Sequence, residues 1–138
     1  MSDWTYYPLS TAPAPYDTVW CRFPYVEAPK QPGPKPHPAL VKQAFADQEG
    51  QPWVSVVYGT SVNPYKGGHE NFTVASLTDM DMCGLKCATR FCLNRVLTIP
   101  YSQEFFGPAP GRPTPILGHL SQYQQRKLQI QVGYMQSQ

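Results

Sequence analysis

Side chains able to move a proton or hold an anion gather in two loops of this chain. In the first, Lys35 and His37 are interleaved with Pro34, Pro36 and Pro38; in the second, Thr60, Ser61, Lys66, His69 and Glu70 surround Asn63-Pro64 and Gly67-Gly68. A histidine titrates near neutrality and serves as acid or base. A lysine offers a fixed positive charge to an anion, and hydroxyls donate or accept hydrogen bonds. Each residue also has a plainer use. His37 between prolines is a solvated loop residue, Thr60 and Ser61 are a hydroxyl-bonded turn after Gly59, and His69 with Glu70 is a hydrated loop tip.

Two further sets of residues bear on chemistry. Arg22, Lys30, Lys35, Lys42, Lys66 and Arg90, with Tyr25, Tyr58 and Tyr65 as stacking faces, make a rim of the kind that reads single-stranded RNA, or else scattered surface charge. Cysteines fall at 21, 83, 87 and 92. The spacing Cys83-x3-Cys87-x4-Cys92 lacks paired C-x2-C knuckles, and Cys21 lies in an apolar run, so free thiols are expected rather than a zinc site. No metal and no cofactor is expected.

The elements that must position these groups are strands. Thr18 to Phe23, Ala39 to Phe45, Trp53 to Tyr58 and Phe72 to Val74 read as strands, the first closed by Pro24 and the third by Gly59. Asp47 to Gln51 supplies a Gly-containing turn, so the second and third runs form a hairpin. Thr89 to Leu93 and Arg95 to Pro100 are separated only by Asn94 and read as two strands or one bulged strand. From Pro24 to Pro38 inclusive there are six prolines, which demand a long exposed loop. Residues 1–16 mix Trp4, Tyr6, Tyr7 and Tyr16 with Pro8, Pro13 and Pro15, an arm that lays rings on the body without regular structure. Thr114 caps and Pro115 starts a helix predicted over 115–135, with Leu117, Leu120, Leu128, Val132 and Met135 as its apolar stripe and Gln124 as an interruption. That stripe closes one side of the fold, with a dimer seam as a second use.

Whole-chain arithmetic agrees. At 138 residues, with 41% hydrophobic residues, the chain fits one domain, residues 17–138, behind the arm. Sixteen prolines exclude a helix-rich fold. A net charge of +2 permits nucleic-acid binding without demanding it. No apolar run is long enough to span a bilayer and no leader pattern opens the chain, so a cytoplasmic protein is expected. The expectation is a mainly β fold, a small antiparallel SH3-like barrel with a C-terminal α-helix.

The order of motifs resembles the PemK/MazF toxin family. Asp17-Thr18-Val19-Trp20 opens the first strand, His37-Pro38-Ala39-Leu40-Val41 opens the second, Tyr58-Gly59-Thr60-Ser61 closes the third, and a block from Leu85 to Leu97 follows. The family pairs a D-x-V-W strand, an R-P-A-L-V strand and a T-S strand end, and the likeness covers roughly residues 17–132. It implies a metal-independent endoribonuclease acting on single-stranded RNA, a homodimer, and neutralisation by an antitoxin. It also implies catalytic roles at His37 and Thr60, with Lys35, Ser61, Arg22, Tyr58, Lys66 and His69 around the substrate. His37 stands where the family has arginine, so an always-charged fork is replaced by a titrating ring. A different class of function is therefore kept beside the first: a non-catalytic barrel that binds a protein, a nucleic acid or a small ligand.

Overall fold

The computed structural model describes residues 4–136. The strands are β1 (Asp17–Cys21), β2 (His37–Ala46), β3 (Pro52–Thr60), β4 (Asn71–Val74), β5 (Thr89–Pro100) and β6 (Ile116–His119). Helix α1 (Leu77–Met82) lies between β4 and β5, and α2 (Gln122–Gln136) ends the described chain. The strands form one six-stranded sheet in the order β4-β5-β3-β2-β1-β6, with every neighbouring pair antiparallel.

Strand alternation divides the interior into two cores. Ala39 and Val41 of β2 join Val19, Val56, Ile99 and Phe105 on one side, while Leu40 between them joins Val57, Phe72, Phe91 and Leu128 on the other. A sheet with both faces apolar needs a cover on each. The N-terminal arm covers the first: Trp4 meets the Phe105 ring at 5.0 Å, edge to face, and the Tyr7 hydroxyl donates to the Phe106 carbonyl. Among its described residues, 4–16, the arm has a 3-10 turn at Leu9–Thr11 and an isolated bridge from Tyr6 to Ser102. On the second face, Leu128 of α2 is buried, with Val132 packed beside it.

The helix predicted over 115–135 is corrected at its start. Ile116–His119 is a strand, and α2 begins at Gln122. The edge of β1 takes precedence over the local Thr-Pro cap: Asp17, Thr18 and Val19 pair with His119, Gly118 and Ile116, and Trp20 N–H donates to the Pro115 carbonyl at 2.8 Å. Ladder bonds satisfy backbone groups that a helix at this place would leave without partners. The working cap is Ser121, whose hydroxyl accepts from Gln124 N–H at 3.1 Å.

The two runs on either side of Asn94 are one strand, β5, broken in register. Val57 of β3 pairs with Val96 and the next residue, Tyr58, pairs with Cys92, so Leu93, Asn94 and Arg95 bulge out of the ladder. A bulge re-aims the side chains it carries, and this one lies beside the β2 and β3 ends that hold His37 and Tyr58.

Candidate functional site

His37 is the first residue of β2, and Tyr58 lies near the end of β3. The β2–β3 register pairs Ala39 with Tyr58, which brings the two rings side by side with centroids 5.4 Å apart. The close approach depends on Gly59, because a Cβ there would stand 2.4 Å from the Pro38 carbonyl oxygen. Any side chain at 59 would push the two strands apart where the histidine must sit.

The bulge of β5 then delivers Arg95. Its guanidinium carbon lies 4.2 Å from the Tyr58 ring centroid and 5.3 Å from that of Phe23, and the Phe23 and Tyr58 rings meet edge to face at 5.2 Å. With Tyr25 and Glu27 from the β1–β2 loop, these residues line an open cleft of about 510 Å³. Tyr25 is 48% exposed at the lip, a ring offered to the solvent side.

Burial first, then the charges of Arg95 and Lys35, holds the His37 pKa below the ordinary histidine value. The ring is therefore neutral at pH 7, the form that accepts a proton. Arg22 plays a supporting part, since its guanidinium donates to the Pro34 carbonyl at 2.9 Å and ties down the loop that carries Lys35.

Thr60 is 7% exposed, and its hydroxyl accepts from Val62 N–H at 3.1 Å, so the turn use of this residue is the one seen. Ser61 and Lys66 are exposed on the loop that follows. His69 is turned elsewhere: its ring lies 5.5 Å from that of Tyr134 on α2, and its carbonyl accepts from Gln131. The cleft thus gathers His37 and Tyr58 with the Lys35 charge nearby, while His69 belongs to the α2 side. Arg90, placed in the basic rim from sequence, binds the Val62 and Asn63 carbonyls and the Asn71 side chain, and so holds the loop after Thr60 in place.

Arg95, Phe23 and Glu27 were not anticipated as site residues. The sequence reading of two strands or one bulged strand through Asn94 did not say which neighbour a bulge would redirect. The available signal was Asn94, a weak strand former between two strong runs, which marks a bulge and therefore a redirected neighbour.

A larger apolar groove of about 550 Å³ lies between α2 and the sheet, bounded by Leu40, Val57, Leu93, Val96, Leu128 and Val132. Tyr16 and Lys42 also line it, but it holds no histidine, carboxylate or thiol, so the smaller cleft is the better candidate. The cysteines stay apart in role. Cys83 is buried, donates to the His119 carbonyl at 3.4 Å, and has its thiol pushed up to about 12 by burial and the Asp79 charge, whereas Cys87 is exposed. Among the described residues, no group of three or more His, Cys, Asp or Glu side chains is arranged to hold a metal.

No protein-family model matches this chain, and no curated protein matches it. The likeness to PemK/MazF toxins accordingly rests on the quoted motifs alone.

Proposed function

We propose that this chain is a metal-independent endoribonuclease of the PemK/MazF type, built on an SH3-like barrel, a reading that the six-stranded antiparallel sheet supports. The observation that carries the reading is a neutral imidazole, His37, in a cleft walled by Tyr58, Phe23 and Tyr25. Aromatic faces stack unpaired bases, and a neutral imidazole takes the proton of an adjacent 2′-hydroxyl. The O2′ oxygen then attacks its own phosphate, the bond to O5′ breaks, and the product ends in a cyclic phosphate. Lys35 screens the phosphate as it approaches. The working form is a homodimer in the cytoplasm, silenced by an antitoxin protein.

The test is purified protein incubated with mixed RNA in the presence of EDTA, followed by mapping of new ends. The reading expects cyclic phosphate ends without magnesium, no cutting of DNA, and loss of cutting in His37→Ala. Uncut RNA, or equal cutting by the variant, overturns it.

One observation favours the non-catalytic alternative. The Thr60 hydroxyl accepts from its own turn and is nearly buried, so it is poorly placed for the role the resemblance assigns to it. If RNA is bound in the cleft and released intact, the binding barrel becomes the reading to keep.

A further inference from the structure

Arg95 is held in an unusual way. Its guanidinium rests on two aromatic faces, and among the described residues no hydrogen bond or ion pair engages it. Glu27 lines the same cleft without pairing with it. A cation–π contact does not use up the N–H donors of a guanidinium, whose fork suits two oxygens of one phosphate. The residue comes from the bulge of β5, where Leu93, Asn94 and Arg95 have no partner in β3. It shares its cleft with His37.

We propose that Arg95 is the residue that holds the scissile phosphate, its fork bonding two non-bridging oxygens while His37 takes the 2′-hydroxyl proton. This rests on the ribonuclease reading. It puts a guanidinium from β5 in the same cleft as the β2 histidine. In the step, the O2′ proton passes to the His37 imidazole, the O2′–P bond forms, and the P–O5′ bond breaks. The departing O5′ takes a proton from water, and the imidazolium returns its own to solvent. Charge gathers on the non-bridging oxygens as phosphorus becomes five-coordinate, and the Arg95 guanidinium is already held in the cleft by the rings beside it.

The groups facing His37 are Arg95 from β5, Lys35 from the preceding loop, Tyr58 from β3, and Tyr25 and Glu27 from the β1–β2 loop. Removing the Arg95 charge therefore raises the His37 pKa. A base that must be neutral then works only at higher pH, and the acid limb of the rate profile moves upward. An arginine serving only to pack Tyr58 would lower the rate without this signature.

The experiment compares wild type, Arg95→Gln and Arg95→Lys in three measurements: RNA cleavage against pH, binding of an RNA with a single 2′-deoxy nucleotide at the cut site, and titration of inorganic phosphate followed through the His37 ring by NMR. The glutamine variant is expected to lose about 100-fold or more in cleavage, with its acid limb raised. Lysine restores the position of the limb and only part of the rate, because a point charge cannot supply the fork. Both variants should bind the 2′-deoxy RNA more weakly than wild type. Equal rates and equal limbs in Arg95→Gln and wild type, with RNA still cut, overturn the Arg95 assignment and leave the ribonuclease reading standing. If wild type cuts no RNA, that reading falls, and the phosphate titration decides the anion site: a His37 shift in wild type that is lost in Arg95→Gln supports it, and equal shifts overturn it.

Discussion

His37 carries two consequences of one environment. Burial and the neighbouring cations favour the neutral ring, so a reaction that uses it as base should be flat at neutral pH. Its acid limb should lie below the ordinary histidine value of about 6.5. Replacing it by alanine should cost about 100-fold in rate, the usual worth of a positioned base. Rate profiles from pH 4.5 to 8 check both, and a limb at or above the ordinary value would show that the titrating base is another group. Tyr25 acts differently. Half-exposed at the lip, it has no proton to move in this reaction, so Tyr25→Ala should raise KM by about tenfold and leave kcat nearly unchanged, the expected loss of one stacking face. A fall in kcat alone would place Tyr25 in the chemical step.

Among the elements, α2 shows how tertiary contacts correct a local reading. Leu128 and Val132 do face the second core, as their spacing predicted, but Leu117 and Leu120 belong to β6 and the connection after it. Local capping signals at Thr114-Pro115 were outweighed by the open edge of β1, and an edge that needs a partner leaves no mark on the residues that will supply it. The strands read well because β-branched runs between prolines have few alternatives. The bulge was half seen: its place at Asn94 was readable, its effect on Arg95 was not. Gln124, taken as a break in the helical stripe, is in fact buried and donates to Asp79 at 2.7 Å, where Ser121 also donates at 3.1 Å. That node fastens α2 to α1, a helix absent from the sequence reading because six residues are too few for a periodic signal. Asp79→Ala strips the Gln124 amide of its acceptor and should lower stability by about 1–3 kcal/mol, measured by urea unfolding. The C-terminal end of α1 meets β6 closely, since a Cβ at Gly118 would lie 2.0 Å from the Met82 carbonyl oxygen. Gly118→Ala should therefore destabilise by about 1–3 kcal/mol through overpacking, and a variant as stable as wild type would mean that α1 moves freely against the sheet.

For the whole molecule, stability should depend on pH in two separate steps. His37 has a folded pKa below its unfolded one, so the unfolded chain binds the extra proton. Stability from this group is fully present above the unfolded value near 6.5 and is lost as pH falls through the folded value. At Asp79, burial works to raise the pKa, but hydrogen bonds from Gln124, Ser76 and Ser121 and the Lys127 charge outweigh it. At Asp47, the bond from Gln51 N–H leads the lowering, against some desolvation and with help from Trp53 and Glu49. At Glu104, desolvation is outweighed by hydrogen bonds led by the one from Thr5 N–H. All three carboxylates stabilise above their unfolded values near 4 and lose that contribution as pH falls further. A melting temperature followed from pH 8 to 3 should hold level, decline first below about pH 6.5, and decline again below about pH 4. His37→Gln keeps a polar side chain at the end of β2 and cannot bind the proton, so it should remove the first decline and leave the second. Because this measurement needs no substrate, it reads the environment of His37 independently of RNA. If the glutamine variant and wild type decline together between pH 7 and 5, His37 is ordinary in the folded chain, and the case for a neutral base in the cleft loses its physical ground.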